Sequence, residues 1–419
     1  SGDTLVPTDA ASASENAFGL RPHGDKSVAA PSDKSVLAPS DLEIFLPTDV
    51  LVTGRDIIFL WVSRMMMLTK KFVDKKAFDD IIITGTVLGK DGKPMSKSRN
   101  NGVDPIEMFD KFGVDATRIY LASIATGADI RWNDIGVETY RNFANKIWNA
   151  TRFCLMHSGQ DAPPNLEGNR TLADRWIESR ISKTALAVNR TLETYQFHEA
   201  VSLLYHFFWD DFCDWYIELK KDDITSGEPV AGAHILWLLD MALRMLHPFM
   251  PYLTEELWQM LPGSSNELHH PSYSKTTATI MLTEFPKGST KYFDDIAENE
   301  MSAIIEIIKK VRNIRAEMNI APSIKFDIHI SAHSYYQKVF YANEAQILKL
   351  ARADKIILSE KLDVPKASAK AVTADAEIAI PLEGLIDFEK ERERLKNQID
   401  KLDVELNLLN GQLYNSNFV

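Results

Sequence analysis

The sequence predicts an α/β segment followed by a mainly α region that ends in a coiled coil. Two β-rich runs, Val50–Gly54 and Ile81–Leu88, flank one helical run, which is the order of a βαβ unit. From Asp104 to about residue 261, apolar residues recur with the period of a helix, which predicts a bundle. From Phe388 they recur every seven positions, the pattern of a coiled coil.

Composition excludes several classes of protein. The chain has 419 residues, of which 45% are apolar and 25% are charged, and this length favours two or three domains. No apolar run reaches about 18 residues, so we expect no membrane-spanning helix. The N-terminus lacks the pattern of a secretory signal. Cys154 and Cys213 are too few for a disulfide framework or a zinc site, so we expect no bound metal and a cytoplasmic location.

The net charge of −12 argues against indiscriminate nucleic-acid binding, which needs a basic surface. It does not exclude a partner such as tRNA, because an acidic chain can still collect its cations on one face.

Shifts in composition divide the chain into five segments. Residues 1–43 are rich in Ser, Ala, Asp and Pro, and the octapeptide Asp25–Ser32 returns almost unchanged as Asp33–Ser40, so we predict a flexible leader. The other predicted segments are an α/β half-domain (44–132), a helical bundle (133–300), a small mixed α/β segment (301–384) and the start of a coiled coil (385–419).

The α/β half-domain contains the most informative loop. We predict a strand ending at Gly54, a helix over Asp56–Leu68 with Asp56 anchoring its N-terminus, a second strand, and the polar loop Lys90–Gly102. Loops at the carboxyl ends of parallel strands bind ligands in nucleotide-binding folds. Two strands make only half of such a domain.

The helical region is predicted from its periodicity and from its helix-start and helix-stop residues. Asp104 is a predicted N-cap before a proline at the first helical position, and Pro248 and Pro251 are predicted to divide the last helix. The predicted helices are 104–125, 136–158, 171–194, 198–220 and 232–261.

The C-terminal part reads as one helix, two strands and a heptad repeat. We predict a helix over 301–319 and strands over Lys325–Ile330 and Ala376–Leu382. Arg392 interrupts the heptads that begin at Phe388. Such a seam, if unpaired, is exposed, so we expect a monomer with weak self-association.

The loop Pro94–Ser98 carries the chemistry that points to a function. Lys97 lies between Ser96 and Ser98, and an ammonium group with small donors can meet the oxygens of a triphosphate. Taken alone, the stretch also fits an ordinary surface loop.

The chain resembles the valyl-tRNA synthetases, members of the class I aminoacyl-tRNA synthetases, over nearly everything from Phe45 to Val419. The loop above matches the family's lysine-methionine-serine-lysine-serine motif, and the terminal heptads resemble its C-terminal arm. Five further blocks resemble family segments in the same order: Pro47–Met66, Phe112–Ser123, Arg141–Phe153, His247–Trp258 and Arg312–Asn319.

The resemblance implies a partial Rossmann-like catalytic half that uses ATP with Mg²⁺ as substrate, and an anticodon-binding bundle that binds tRNA(Val). Lys97 would stabilise the pyrophosphate leaving group, with Ser96 and Ser98 supporting the loop. Gly54, Asp56 and Met95 would join Lys97 in the ATP site, with Asp56 holding the ribose hydroxyls. Trp61 would line the valine pocket, although a tryptophan of an amphipathic helix core fits the sequence equally well.

Helix Arg141–Phe153 offers a candidate tRNA surface. Arg141, Lys146 and Arg152 have spacings that can share a face, and Phe153 is available for stacking on a base. The alternative is an amphipathic helix with solvated charges and a core phenylalanine.

Several departures from the family pattern limit what the chain is expected to do alone. Pro94 replaces the first lysine of the loop motif, Lys93 is its nearest substitute, and Arg55 stands where an aromatic residue is usual. The family's first active-site motif, His-x-Gly-His, and its editing domain are absent from the sequence. The sequence therefore resembles the C-terminal portion of such an enzyme, which alone should not activate valine. The alternatives are an isoleucine enzyme, a non-catalytic tRNA-binding relative, and a helical interaction protein.

Overall fold

The structure is a computed structural model that describes residues 40–158, 170–261 and 279–413. Residues 1–39 of the predicted leader lie outside the described residues. The last residues of the predicted leader belong to helix α1, which begins at Asp41. The chain forms two compact units that divide between Phe293 and Asp294. The sequence placed this boundary at residue 300, but Asp294 already caps the first helix of the second unit, where its carboxylate accepts a hydrogen bond from the Ala297 N–H.

The described part of the first unit contains four short strands and ten helices. Its strands are β1 (Thr48–Gly54), β2 (Phe78–Thr84), β3 (Val87–Leu88) and β4 (Ile130–Arg131). Its helices are α1 (Asp41–Phe45), α2 (Ser63–Val73), α3 (Pro105–Phe112), α4 (Val114–Ala122), α5 (Asp134–His157), α6 (Leu172–Glu193), α7 (Phe197–His206), α8 (Ile217–Thr225), α9 (Pro229–Leu246) and α10 (Pro251–Gln259).

Strands β1 and β2 are parallel, as the βαβ prediction requires. Their register pairs Thr48 with Phe78 and Gly54 with Thr84, so the two strands end at the same edge. Strands β3 and β4 form a second parallel pair. Between β1 and α2 the chain makes a 3₁₀ turn (Arg55–Ile57) and a π-helical turn (Ile58–Val62). The helical segment therefore starts one residue before Asp56 and Gly54 is its N-cap, which corrects the prediction that Asp56 anchors the N-terminus.

The predicted helix over 104–125 is two helices. Asp104 caps α3 as predicted, since its side chain accepts a hydrogen bond from the Ile106 N–H. Gly113, between α3 and α4, has a φ of 93°, a conformation that residues with a Cβ rarely adopt and that a continuous helix excludes. The sequence did not predict this break, because the helical periodicity of apolar residues continues on both sides of Gly113.

The bundle is built around α9, which is buried along nearly its whole length. Helix α9 is long enough and apolar enough to cross a membrane, whereas the sequence analysis expected no such helix. Because 89% of that stretch is buried inside the protein, it fits the core helix of a bundle. Pro251 begins α10, so the last predicted helix divides where the prolines indicated.

A buried polar network connects three parts of the bundle. The His234 side chain on α9 lies with Nε2 3.0 Å from Oε1 of Glu178 and Nδ1 2.6 Å from the hydroxyl of Tyr216. The Tyr216 hydroxyl donates to Oδ1 of Asp174 at 2.9 Å, and Nζ of Lys220 lies 3.4 Å from Oδ2 of Asp174. Tyr216 belongs to a π-helical segment, Phe207–Tyr216, that joins α7 to α8 without a break.

The second unit contains a four-stranded mixed sheet in the order β6-β5-β8-β7. Strand β5 pairs parallel with β6 and antiparallel with β8, and β8 pairs antiparallel with β7. The described elements are α11 (Asp295–Glu317), β5 (Asp327–Ala332), α12 (Ser334–Ala342), α13 (Glu344–Ala351), β6 (Lys355–Ser359), β7 (Ser368–Val372), β8 (Ala376–Pro381) and α14 (Phe388–Leu413). The sequence predicted α11, β5, β8 and α14 but missed β6, β7, α12 and α13.

Helix α14 carries the heptads as one helix without a buried residue. Among the described residues the seam has no partner helix, so the structure shows a long amphipathic helix but not the predicted coiled coil. Taken together, the protein is mostly helical with small sheets.

Candidate functional site

The carboxyl-terminal edge of β1 and β2 forms the first candidate site. Gly54 and Thr84 lie side by side there, and the Thr84 hydroxyl donates to the Thr53 carbonyl at 3.3 Å. A Cβ added to Gly54 would meet no atom within 4 Å, so the space above this residue is open. Asp56 is exposed in the following 3₁₀ turn. A ligand can therefore approach the backbone of Gly54 next to the exposed carboxylate of Asp56.

Arg55 ties this edge to a distant loop. Its guanidinium forms an ion pair with Asp129, whose Oδ1 also accepts the Thr86 N–H at 2.9 Å. The hydrogen bond from Thr86, followed by the contact with Arg55, holds the pKa of the Asp129 carboxyl below its ordinary value. This contact joins the end of β1 to the start of β3. The sequence showed Arg55 as a departure but gave no sign of its partner 74 positions away.

Asn101 organises the predicted phosphate loop. Its Oδ1 accepts the backbone N–H of Ser96 at 2.9 Å, and its Nδ2 donates to the Pro94 carbonyl at 3.3 Å. The same Nδ2 lies 3.2 and 3.3 Å from the two carboxylate oxygens of Asp91. The Lys93 N–H is the main cause that holds the pKa of Asp91 below its usual value, and Asn101 adds to it. Sequence reasoning missed both Asn101 and Asp91.

The predicted phosphate-binding residues lie in a short turn. Residues Lys97–Arg99 form a 3₁₀ turn, and the hydroxyls of Ser96 and Ser98 lie 3.3 Å apart. The Lys97 side chain lies outside the groups that the structure describes, so its phosphate contact stays a prediction. Pro94 forms a bridge to Leu88, which fixes the start of the loop against β3.

Met95 and Trp61 differ in where they point. Met95 is half-buried and packs against a buried apolar cluster that includes Phe112 and Trp132. Its side chain thus contributes to packing, and its place in an ATP site stays a prediction. Trp61, in the π-helical turn, is 43% exposed, which does not fit the core alternative. Its place in a valine pocket stays a prediction.

The loop is anchored to the beginning of α5. Nζ of Lys90 lies 2.8 Å from Oδ2 of Asp134, and the Arg131 guanidinium donates to the Lys90 carbonyl at 2.7 Å. Hydrogen bonds from Lys90 and from Trp132 Nε1 hold the pKa of Asp134 below its ordinary value. The candidate phosphate loop and the first helix of the bundle therefore share one ionic anchor.

Helix α5 presents two different faces, which corrects the prediction that Arg141, Lys146 and Arg152 share one. At about 100° per residue, Arg141 and Arg152 point the same way, whereas Lys146 and Phe153 point roughly 100–140° from them. Nζ of Lys146 lies 2.7 Å from Oδ1 of Asp214 and 4.6 Å from the Trp209 ring centroid.

Phe153 is half-buried and is engaged within the protein. Its ring stacks on His157 with centroids 4.7 Å apart, and Nζ of Lys221 lies 5.9 Å from its centroid. Lys146 and Phe153 therefore bind their own bundle, as the amphipathic-helix alternative predicted.

The exposed face of α5 combines cations, amides and an aromatic ring. Arg141 and Arg152 are exposed, and Trp148 between them is 40% exposed. Asn145 and Asn149 are exposed beside Trp148. We name these five residues the α5 face. Sequence reasoning missed Trp148 because helical periodicity does not show which side of α5 the neighbouring helices leave exposed. No group of three potential metal ligands occurs among the described residues.

Two family models match the chain. The model described as "tRNA synthetases class I (I, L, M and V)" matches residues 30–133, and the model described as "Anticodon-binding domain of tRNA ligase" matches residues 174–330. The first match covers the candidate phosphate loop. The second begins at Asp174, in α6.

Curated relatives include three bacterial valine–tRNA ligases. The chain is 40% identical over 379 residues to that of Geobacter sulfurreducens and 40% identical over 373 residues to that of Thermotoga maritima. It is 38% identical over 378 residues to that of Geobacillus stearothermophilus. These alignments cover 88% of the chain but only 41–42% of each relative, so the chain spans about two-fifths of their length. The predicted resemblance to this family of ligases is confirmed.

Two solved synthetase structures match part of this chain. The leucyl enzyme of Agrobacterium radiobacter K84, in a ternary complex with tRNA, has a TM-score of 0.48 and 21% identity, with 59% of this chain and 29% of that chain covered. The methionyl enzyme of Mycobacterium tuberculosis, in complex with methionyl-adenylate, has a TM-score of 0.45 and 20% identity, with 58% and 52% covered.

Proposed function

We propose that this chain, which its sequence relates to the valine–tRNA ligases, carries the second half of the ATP site and the tRNA-binding bundle of such an enzyme. The observation that supports this most is the shared end of the parallel strands β1 and β2, where the backbone at Gly54 is open and Asp56 is exposed. A second feature is the loop in which the hydroxyls of Ser96 and Ser98 lie 3.3 Å apart.

The proposed reaction has two steps. The carboxylate of valine attacks the α-phosphorus of ATP, and the bond to pyrophosphate breaks. A terminal hydroxyl of tRNA(Val) then attacks the valyl carbonyl, and AMP leaves. Negative charge grows on the departing pyrophosphate in the first step, so fixed donors that face it lower the barrier. Mg²⁺ enters with ATP as part of the substrate.

In this proposal each residue at the edge has a role. Asp56 accepts hydrogen bonds from the ribose hydroxyls, and the open space at Gly54 lets the nucleotide approach the backbone. Lys97, Ser96 and Ser98 face the pyrophosphate. Met95 contributes only its backbone, because its side chain packs inward. Trp61 lines the valine pocket from the following turn.

The α5 face is the proposed tRNA contact. Arg141 and Arg152 pair with phosphates, Trp148 stacks on a base, and the two asparagines meet base edges. RNA recognition by proteins uses this mixture of cations, aromatic rings and amides. Because Lys146 is paired with Asp214 within the bundle, it holds α5 in place and is not part of the proposed tRNA contact. The proposed location of the protein is the cytoplasm.

A second candidate function is a non-catalytic tRNA-binding relative. Pro94 favours it, since the proline removes a phosphate-facing charge and its bridge to Leu88 stiffens a loop that is expected to move during catalysis. Both candidates predict tRNA binding. They differ in whether the ATP site works once it is complete.

Valine-dependent exchange of pyrophosphate into ATP separates the two candidates. We expect no exchange from this chain alone, and exchange when the N-terminal active-site half of a valine–tRNA ligase is added as a separate polypeptide. A complemented mixture with no exchange, together with retained tRNA binding, would favour the non-catalytic relative. Pro94→Lys is the matched variant, and restored exchange in that variant alone would assign the loss to the proline.

A further inference from the structure

The candidate phosphate loop ends in an Asn–Gly dipeptide. The sequence contains two such dipeptides, Asn101–Gly102 and Asn410–Gly411. In an Asn–Gly pair the glycine nitrogen can attack the side-chain amide of the asparagine, because glycine has no Cβ to obstruct the approach. The two pairs lie in different backbone settings, and the structure therefore distinguishes their reactivity.

The pair Asn410–Gly411 is protected by its helix. Both residues lie within α14, where each backbone N–H donates to the carbonyl four residues earlier. The Gly411 nitrogen is therefore held in the hydrogen-bond ladder of the helix. Ring closure at Asn410 would require the last turns of α14 to unwind.

The pair Asn101–Gly102 has no such protection. It lies outside the helices and strands, between the 3₁₀ turn Lys97–Arg99 and α3, and Gly102 is exposed. Within the described part of the chain the Gly102 N–H has no hydrogen-bond partner, and a Cβ added to Gly102 would meet no atom within 4 Å. The Gly102 nitrogen is therefore accessible, and the backbone has room to turn it toward the Asn101 side chain.

Ser96 activates the Asn101 amide for this attack. The backbone N–H of Ser96 donates to Oδ1 of Asn101 at 2.9 Å. Negative charge develops on this oxygen when a nucleophile adds to the amide carbon, so a donor that is already in place stabilises the transition state. The hydrogen bond that organises the loop therefore also favours the reaction.

We propose that Asn101 is a site of spontaneous deamidation that releases the candidate phosphate loop. The Gly102 nitrogen forms a bond to Cγ of Asn101, the bond from Cγ to Nδ2 breaks, and the proton of the Gly102 nitrogen leaves with the amide group as ammonia. Water then opens the cyclic succinimide at one of its two carbonyls, which gives aspartate or isoaspartate at this position. Water is the only co-reactant.

Deamidation removes the donor that closes the loop. Nδ2 of Asn101 lies 3.2 Å from Oδ1 of Asp91 and 3.3 Å from the Pro94 carbonyl oxygen, so two acceptors face it. After deamidation a negatively charged oxygen takes the place of Nδ2, opposite the carboxylate of Asp91. Like charges at this separation repel each other, and the loop opens.

The inference does not rest on ATP or tRNA binding. Covalent change and protease sensitivity are read in this chain alone, so deamidation can occur or fail whatever the loop binds. If the loop binds ATP as proposed, deamidation limits the active lifetime of the ATP site.

Mass-spectrometric peptide mapping of the full chain, aged at mildly alkaline pH, tests the site. We expect Asn101 to deamidate at least about tenfold faster than Asn410 in the folded chain, and the two rates to agree within about twofold in urea, which unfolds α14. Asn100 is exposed in the same loop but is followed by a residue with a side chain, and it should stay unmodified. An unmodified Asn101 in the folded chain, or an Asn410 that reacts equally fast, would overturn the proposal.

Matched glycine variants test the mechanism. Gly102→Ala should slow the deamidation of Asn101 at least about tenfold, because its Cβ obstructs the attacking nitrogen while its surroundings leave room for the fold. Gly411→Ala should leave the rate at Asn101 unchanged. Equal rates at Asn101 in the wild type and in Gly102→Ala would rule out attack by the Gly102 nitrogen.

Trypsin cleavage of the loop tests the consequence. Asn101→Asp reproduces one product, and its loop should be cleaved at least about fivefold faster than that of the fresh wild type. In aged wild type the rapidly cleaved fraction should rise in step with the deamidated fraction. A deamidated chain whose loop resists trypsin as the fresh protein does would contradict the release of the loop.

Discussion

The side-chain oxygen of Asn101 lies 2.9 Å from the backbone nitrogen of Ser96, and this hydrogen bond holds the candidate phosphate loop from within. The same amide donates to Asp91 and to the Pro94 carbonyl, so one side chain connects both ends of the loop. The geometry of the loop therefore depends on Asn101, which lies five positions after Ser96, the first of the serines predicted to support phosphate binding.

Asn101→Ala should loosen this loop. Each lost hydrogen bond contributes about 1 kcal/mol, so the opened population should rise at least about fivefold. Trypsin cleavage between Lys90 and Arg99 measures that population. Asn100→Gly is the matched control, because Asn100 has a φ of 50° that glycine also adopts. Equal cleavage of the Asn101 variant and the wild type would show that Asn101 does not hold the loop.

His234 should make the stability of the bundle depend on pH. Burial alone would lower the pKa of His234, but hydrogen bonds and charges from Asp174 and Glu178 outweigh burial and raise it above the ordinary value. The geometry agrees, since an imidazolium can donate to Glu178 and to Tyr216 while Tyr216 donates to Asp174. Neutral His234 would lose one of these three bonds.

The direction of the effect follows from the raised pKa. His234 contributes its full stabilisation below the unfolded-state pKa of histidine, about 6.5, and loses it as pH rises through the higher folded-state pKa. The other groups around it are Lys220, which is paired with Asp174, and Arg170, which is paired with Glu178. These cations keep their charge over this pH range.

Urea unfolding between pH 5.5 and 9 measures this effect. We expect His234→Gln to cost about 3 kcal/mol at the acidic end, because it removes the buried cation that lies between Asp174 and Glu178. The difference from the wild type should shrink as pH rises. His206→Gln is the control, since its exposed pair with Asp210 contributes at most about 1 kcal/mol. A His234→Gln difference that does not change with pH would contradict a charged His234.

The α5 face should determine how tRNA binding depends on salt. Arg152→Ala should weaken binding and lower the slope of log K against log salt by about 1, because one phosphate contact is lost. Arg64→Ala, an exposed arginine on α2, is the control and should leave the slope unchanged. Filter binding at four salt concentrations gives both slopes. Identical slopes for the two variants would remove Arg152 from the contact.

Trp148→Ala tests base stacking on the same face. Loss of one base–aromatic stack costs about 1–3 kcal/mol, so the dissociation constant should rise by roughly 5- to 150-fold. The salt slope should stay constant, because no charge is removed. Phe72→Ala, which truncates a 78% exposed aromatic side chain on α2, is the control. An unchanged dissociation constant in Trp148→Ala would place the RNA elsewhere.

Gly113→Ala should destabilise the first unit through its backbone alone. A Cβ at Gly113 meets no atom within 4 Å, so no clash contributes, but the backbone conformation with φ 93° and ψ 151° costs a residue with a Cβ about 1–3 kcal/mol. Gly102→Ala has equal space without the positive φ and should be near neutral. Thermal unfolding of both variants compares them. Equal melting temperatures would mean that α3 and α4 do not need this conformation.

The sequence predicted elements whose signals are local. The N-cap of α3 at Asp104 and the break before α10 at Pro251 each follow from one or two residues. The sequence failed to predict a boundary that depends on the φ of one residue, as at Gly113. It also failed to predict strands such as β7, which are half-exposed and lack a strict alternation of buried and exposed residues.

The candidate site was predictable as a motif but not as a set of contacts. Serine, lysine and glycine types identified the loop, whereas Asn101 and Asp129 act through partners that the fold brings together. Periodicity alone could not distinguish Lys146, which pairs with Asp214, from Arg152, which is exposed. Exposure is set by neighbouring helices, and a single sequence does not contain that information directly.

Competition between tRNA(Val) and an unrelated tRNA for this chain, measured at two salt concentrations, tests the central claim most directly. We expect tRNA(Val) to bind at least about tenfold more tightly than the competitor, and both affinities to fall as salt rises. Equal affinities for the two tRNAs, or no binding at low salt, would contradict the proposal that the bundle recognises tRNA(Val).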